Sequence, residues 1–352
     1  MSKKCLVVAG EPSGDLIGQF VVQSLVDLGW KVEGSGGPLM QNAGLHPLVD
    51  FEPLAVSGVG DVLGGAVGLG RSLRRLQRAL TSGQYQALFC IDYPGFNLRL
   101  MARAQAQNLP VYWLAPPQAW AWKANRARLF HQVPVGVFFE FEKAIYAQAG
   151  ALVSLVAHPL RPSRLPSGQS STPRPRRWGI FLGSRAPQVR RNLAWGLRTA
   201  QLWESQGKEV VIVAPNPHLH RYLQRHFAPS LVQLRSAVKL SQLAAAFCPP
   251  GTITLDLACH GVPFAVLNRV DWLTYFAGKK HLRLPYFALP SLILKRSVAP
   301  EHYFCWPQQP RLALLQQLTS RLAQPSPNLI SALHHALSGS SISAWVRGMF
   351  AV

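Results

Sequence analysis

The chain has 352 residues, 48% hydrophobic and 14% charged, with 36 Lys+Arg against 15 Asp+Glu and a formal net charge of +21. That balance excludes a disordered chain and predicts globular domains with large buried sheets, two of them at ~100–200 residues per domain. No apolar run reaches the ~18 residues of a spanning helix, and the run within Met1–Gly10 is too short for a secretory leader, so the expectation is a cytoplasmic protein whose contact with a membrane surface stays open.

The first predicted strand is "CLVVAG" (Cys5–Gly10), followed by "GEPSGD" and a stretch with a helical stripe at Leu16, Phe20, Leu25 and Leu28. Ser13 or Asp15 could cap that helix, and Gly14 permits a tight turn. The stretch is either a plain capped turn or a polar wall. If a wall, Glu11 and Asp15 suit hydroxyl or amine groups, because no glycine-rich phosphate pattern is present and Glu11 would repel a phosphate. Next, "VLGGAVGLGRSLRRLQRAL" places Val62, Ala66, Leu69, Leu73, Leu76 and Leu80 at three- and four-residue steps. Arg71, Arg74, Arg75 and Arg78 fall largely elsewhere. Two readings fit: a basic amphipathic helix on an anionic bilayer, or an ordinary helix lying on a sheet with its arginines in solvent.

"ALFCID" is a second strand, ended by Asp92 and by the turn Pro94-Gly95. A strand-end carboxylate is a candidate general base, a role worth ~10²–10⁴-fold in rate; the competing reading is a turn or capping aspartate. "PVYWL" and "VGVFFE" are further strands. Between them, Trp113, Trp120 and Trp122 accompany Lys123, Arg126 and Arg128. Such residues stack on bases, pack a sugar or acyl chain, or fill a core; without an RRM, KH or zinc-finger pattern, no nucleic acid partner is expected.

"RPSRLPSGQSSTPRPRRW" (Arg161–Trp178) reads as a connector. The charge balance changes there: residues 1–160 hold 13 basic and 10 acidic residues, the remainder 23 and 5. The second half repeats the strand–helix pattern with "WGIFLGS", "EVVIVAP" and "PFAVLN". Arg185, just past the first of these strands, is suited to bidentate contact with a diphosphate. Gly251-Thr252 opens a predicted helix whose N–H groups, dipole and hydroxyl can hold a diphosphate, and Asp256 further along can accept bonds from a ribose. The strands are apolar throughout, as parallel strands covered on both faces are. The predicted fold is therefore α/β, with two Rossmann-like doubly wound domains facing a cleft and ligands at the carboxyl ends of the strands. The expected boundaries are 1–160, a linker at 161–178, and 179–352, with the last helix a candidate to return to the N-terminal domain.

The five cysteines form no CxxC pair and the eleven histidines no HExxH pattern, so the cysteines are expected as reduced core residues and no metal is expected.

Taken in order, "AGEPSGD", "LAVSGVGDVL", "IDYPGFNLRL", "APPQAWAW", "FEKAIY", "AHPL", "LGSR", "GTITLD" and "LTYFAGKKHLRLPYFALPSL" resemble the lipid-A-disaccharide synthases over nearly the whole chain. The resemblance implies a GT-B glycosyltransferase fold with the active site between two domains, and an inverting, metal-independent hexosyltransferase that needs no cofactor. It implies UDP-2,3-diacylglucosamine as donor and 2,3-diacylglucosamine 1-phosphate (lipid X) as acceptor, giving the β-1,6 lipid A disaccharide precursor and UDP. It also implies a peripheral site of action at the anionic cytoplasmic face of an inner membrane, with Val62, Leu69, Leu73, Leu76, Arg71, Arg74 and Arg75 as contacts. Asp92 matches the base; Glu11, Ser13, Gly14, Asp15 and Asn97 fall on the acceptor side. Arg185, Gly251, Thr252, Asp256, Ser291 and Glu301 fall on the donor side. The chain departs from the family pattern at Asp61, Gly95, Ala157, Gln188, Pro250, Asp256, Ser291 and Phe304. Those departures keep two alternatives in view: a transferase with another UDP-sugar or lipid acceptor, and a degenerate protein that only binds lipid or nucleotide-sugar.

Overall fold

A computed structural model describes residues 3–51, 62–119, 124–162, 177–270, 286–305, 308–322 and 327–350, with the backbone alone for 62–67, 124 and 327. Its contacts divide into two compact units, Met1–Pro159 with Leu337–Val352, and Leu160–Ala336.

The first unit holds a seven-stranded sheet: β1 (Lys4–Ala9), β2 (Lys31–Ser35), β3 (His46–Pro47), β4 (Ala87–Ile91), β5 (Val111–Leu114), β6 (Pro134–Val137) and β7 (Leu152–Leu155). Its order is β3-β2-β1-β4-β5-β6-β7 and every pairing is parallel. The second unit holds six strands: β8 (Arg177–Phe181), β9 (Glu209–Ala214), β10 (Val232–Leu234), β11 (Leu243–Cys248), β12 (Phe264–Val270) and β13 (Glu301–Cys305). These are also all parallel, in the order β10-β9-β8-β11-β12-β13. Each sheet is doubly wound: the chain works outward in one direction, returns to the middle and works outward in the other.

The composition of the central strands explains their place. Cys5–Ala9 and Ala87–Ile91 are wholly buried, as helices on both faces of a parallel sheet require. Burying a Leu, Val or Phe side chain fully stabilises by about 1.5–3 kcal/mol, and each unit builds its own core from such residues. Residues 163–176 of the expected connector lie outside the described residues, and β8 begins at Arg177, inside its expected end. Four of the free cysteines are buried and Cys305 is half-buried.

The helix Ile342–Phe350 packs on the first unit. Phe350 meets Tyr112 at 4.4 Å between ring centroids and Trp30 at 5.1 Å, Trp345 meets Phe89 at 5.8 Å, and Arg347 pairs with Asp27 at 3.1 Å. The helix Val62–Leu80 also lies on this sheet. Leu76 is fully buried in the core, and Leu69 and Leu73 are half-buried against the same cluster. Of the expected membrane contacts, Leu76 therefore belongs to the core, while Leu69 and Leu73 are divided between the core and the surface. The side chain of Val62 lies outside the described residues. Arg71, Arg74, Arg75 and Arg78 are exposed. Among the described residues no helix is long and apolar enough to cross a membrane.

Candidate active site

In each unit the strand order reverses at one point, between β1 and β4 in the first sheet and between β8 and β11 in the second. Crossovers leave in opposite directions there, so a crevice opens at the carboxyl ends of the two strands. The residues that follow β1 are Gly10 and Glu11, and the residue that follows β4 is Asp92. In the second unit the corresponding loops carry Arg185 and Gly251-Thr252.

Asp92 and Tyr93 both adopt the left-handed backbone conformation, with φ of 48° and 50°. Each such non-glycine residue costs of order 1–3 kcal/mol and persists only where its surroundings hold it. The Asp92 N–H donates to the Leu114 carbonyl at 3.0 Å. The fully buried Asn97 donates its amide to the carbonyls of Asp92 at 2.8 Å and of Val8 and Ile91 at 3.2 Å. The Tyr93 ring lies against Gly10: a Cβ at Gly10 would stand 2.6 Å from Tyr93 Cγ and 2.7 Å from Cε1. Gly10 and Tyr93 were not among the residues singled out from sequence. Asn97 was, and its amide hydrogens go to the backbone of β1, of β4 and of Asp92.

The helix after β1 spans Pro12–Asp27, with Glu11 at its N-cap and Pro12 in its first turn, and no side chain caps it. The predicted Ser13 or Asp15 cap is therefore corrected. Proline sets the entry dihedral and has no N–H to satisfy. Asp15 instead accepts from the Leu39 N–H at 3.2 Å and the Met40 N–H at 3.0 Å, so it caps the neighbouring helix Pro38–Asn42. It is 5% exposed, and burial pushes its carboxyl above the ordinary range against the pull of the Met40, Leu39 and Gly37 backbone bonds. Gly14 is buried against Ala9 and the Ile91 carbonyl; Glu11 and Ser13 are half-buried at the strand end.

In the second unit, exposed Arg185 is the N-cap of the helix Ala186–Ser205. Gly251 caps the helix Thr252–Cys259 at φ 141°, a conformation that side-chain-bearing residues rarely adopt. Thr252 is exposed, so the first-turn N–H groups and one hydroxyl stand at the strand end. A buried amide cluster braces the loop after β8. Asn192 donates to the Leu182 carbonyl at 2.9 Å and to Asn268 Oδ1 at 3.2 Å, while its own oxygen accepts the Arg269 N–H at 2.9 Å. Asn192 and Asn268 give no sequence signal of their own, since an asparagine inside a helix or strand looks like any polar position.

Three predicted donor-side residues are engaged within the fold. Asp256 accepts from Arg235 at 2.6 Å and pairs with His260 at 3.3 Å. Burial alone would raise its carboxyl, but the His260 and Arg235 hydrogen bonds outweigh this and hold it below the ordinary range. Glu301 accepts from the N–H groups of Phe287 at 2.8 Å and Ala288 at 3.2 Å and from the Tyr303 hydroxyl at 3.0 Å. Ser291 is fully buried and accepts the Val298 N–H at 3.1 Å. Trp113 is a core residue in edge contact with Phe130 at 5.0 Å; Trp120, Trp122 and Lys123 lie outside the described residues. No group of three or more metal-ligating side chains occurs among the described residues.

Two parallel, doubly wound units, each with its loops of interest at the switch point, define a GT-B glycosyltransferase fold. Solved structures bear this out. The chain is similar to Arabidopsis thaliana UGT89C1 complexed with UDP-L-rhamnose (TM-score 0.64, 14% identity, covering 100% of this chain and 99% of that one). It is also similar to CalG4, the calicheamicin glycosyltransferase (TM-score 0.54, 14% identity, 96% and 94%). At residue level the match is narrower. The profile of the lipid-A-disaccharide synthetase family matches residues 5–321, and the chain is 30% identical over 317 residues to the lipid-A-disaccharide synthase of Coxiella burnetii (strain Dugway 5J108-111), covering 85% of this chain and 84% of that one. The chain belongs to the lipid-A-disaccharide synthetase family. It is a hexosyltransferase of lipid A biosynthesis.

Proposed function

We propose that the chain joins the sugar of UDP-2,3-diacylglucosamine to the 6-hydroxyl of 2,3-diacylglucosamine 1-phosphate, with inversion. In this reading the first unit takes the acceptor and the second the UDP. Asp92 removes the proton from the acceptor hydroxyl as that oxygen attacks the anomeric carbon. The bond to the UDP oxygen breaks as the new glycosidic bond forms, and the departing diphosphate takes up the charge. Inversion in one displacement needs a single base opposite the leaving group. Arg185 and the first-turn N–H groups at Gly251-Thr252 lie at the strand ends of the second unit. A guanidinium and a helix N-terminus are the groups that stabilise a leaving diphosphate most directly.

The observation that carries the reading is the backbone at Asp92. A carboxylate sits at the switch point of a parallel sheet in a left-handed conformation that Asn97, the Leu114 carbonyl and the Gly10–Tyr93 contact hold in place. Strain of this kind gathers at active sites. Glu11 and Ser13 line the acceptor side by contacts to sugar hydroxyls, and the enzyme works at an anionic membrane surface.

The test is turnover by purified protein given both lipids, read as disaccharide and UDP. Asp92→Asn keeps the shape and removes the base, so kcat falls by ~10²–10⁴-fold while donor binding stays. Wild-type turnover in that variant would remove Asp92 from the mechanism.

A further inference from the structure

The arginines of the helix Val62–Leu80 stand exposed while its leucines turn to the core. With Leu76 buried and Leu69 and Leu73 against the core, the helix is fixed in rotation, and its opposite face is presented from a rigid base. Arg71 and Arg75 are one turn apart and so share a face. With Ser72 and Asp50, and with the turn Pro47–Val49, they line an open recess of about 290 Å³. Among the described residues neither guanidinium is paired with a carboxylate.

The place of the recess in the fold is informative. β3 runs parallel to β2, and β2 to β1 and β4, so the residues leaving β3 emerge at the same end of the sheet as Gly10 and Asp92. That is the end at which sheets of this topology bind ligands. The recess is therefore on the working end of the first unit and within that unit alone.

Its chemistry is mixed in a specific way. Two guanidiniums one turn apart are shaped for the oxygens of a phosphate, to which arginine bonds in bidentate fashion. Ser72 adds a hydroxyl donor. Asp50 would repel a bare phosphate, yet a carboxylate is the natural acceptor for sugar hydroxyls. The volume lies at the lower edge of the ~300–1,000 Å³ of small-molecule sites, enough for a phosphorylated hexose and too polar for an acyl chain. We propose that Arg71, Ser72, Arg75 and Asp50 form a subsite for a phosphosugar head group, the arginines holding its phosphomonoester and Asp50 its hydroxyls. Resting on the reading above, this makes the recess the part of the acceptor site that recognises the 1-phosphate of the acceptor glycolipid.

The proposal separates from that reading by experiment. Glucosamine 1-phosphate and glucosamine are titrated into the full-length protein, into Arg71→Ala/Arg75→Ala and into Asp92→Asn, with heat of binding as readout. Wild type and Asp92→Asn bind the phosphosugar in preference to glucosamine; the arginine variant loses that preference, with its melting temperature intact because both side chains are exposed. Equal binding by the arginine variant overturns the subsite, whether or not the protein turns over. With detergent-dispersed acceptor, the arginine variant raises acceptor KM by roughly 10- to 100-fold, as loss of charge-assisted bonds does, and leaves donor KM unchanged. If the variant instead loses only sedimentation with phosphatidylglycerol vesicles and keeps its acceptor KM, the arginines serve bilayer phosphates and the proposal fails.

Discussion

Gly10→Ala adds one methyl group at the carboxyl end of β1, and its effect follows from geometry. The new Cβ would stand 2.6 Å from Tyr93 Cγ and 2.7 Å from Cε1. Carbon atoms pack at ~3.5–4.0 Å, so the ring or the loop beneath it must move by about 1 Å. Tyr93 is the left-handed residue next to Asp92, and its carbonyl accepts the N–H groups of Phe96 at 3.2 Å and Asn97 at 3.0 Å. The displacement therefore passes to the residue that we assign as base. A misplacement of ~1 Å costs on the order of 10²-fold in rate, and overpacking costs about 1–3 kcal/mol in stability. The expected outcome is a folded protein whose kcat falls by about 100-fold at saturating donor and acceptor, read as UDP release. A double-mutant cycle with Tyr93→Ala isolates the cause. Without the ring, the three nearest atoms that the methyl would strike are gone, and the substitution costs less. A folded Gly10→Ala with wild-type kcat would refute the positioning argument. An equal loss in both backgrounds would show that the ring contact is not what carries it.

Two further outcomes follow from packing and charge. Trp345→Ala removes the ring against Phe89 and opens the face that the helix Ile342–Phe350 covers; a loss of about 3–5 kcal/mol is expected in urea unfolding, and an unchanged midpoint would show that this helix does not stabilise the unit. At the Arg235–Asp256–His260 cluster, the Asp256 hydrogen bond raises the His260 imidazole above its ordinary value. The stability that His260 adds is then full below its unfolded value of about 6.5 and fades as pH rises through the higher folded value. The depressed Asp256 carboxyl gives the opposite sign, its contribution fading as pH falls through its folded value. The stability gap between wild type and His260→Gln should therefore narrow as pH rises above the ordinary imidazole value of about 6.5, and a gap that stays constant as pH rises would contradict the pairing.

The legible part of the fold was the part in which local composition and final environment agree. β1, β4, β5, β8, β9 and β12 are apolar runs, and the sheets bury them. Several strands that local composition does not mark carry mixed signals. β2 is "KVEGS" and β13 "EHYFC", each partly exposed, β3 has two residues, and β11 is "LAAAFC", whose alanines favour no strand. The leucine stripe of Val62–Leu80 showed that one face is covered but not by what, since a sheet and a bilayer ask for the same periodicity. Asp15 misled for a related reason. A carboxylate in a first helical turn reads as belonging to its own helix, whereas here it caps a helix 24 and 25 residues further on.

What no single stretch could show is that the "GEPSGD" and "CIDYPGFN" loops are one interlocked unit. The register Ala9↔Ile91 brings the ends of β1 and β4 level. Gly10 then lies under the Tyr93 ring, Gly14 against the Ile91 carbonyl, and Asn97 reaches across to Val8. Each loop supplies what the other lacks: the first gives room through its glycines, and the second gives the strained carboxylate and the amide that ties it down. A left-handed aspartate stays in that state only while all these contacts persist. The small residues after β1 are therefore as much a part of the proposed base as the carboxylate after β4. Changes at Gly10 should act on kcat rather than on donor binding, which the other unit provides in this reading.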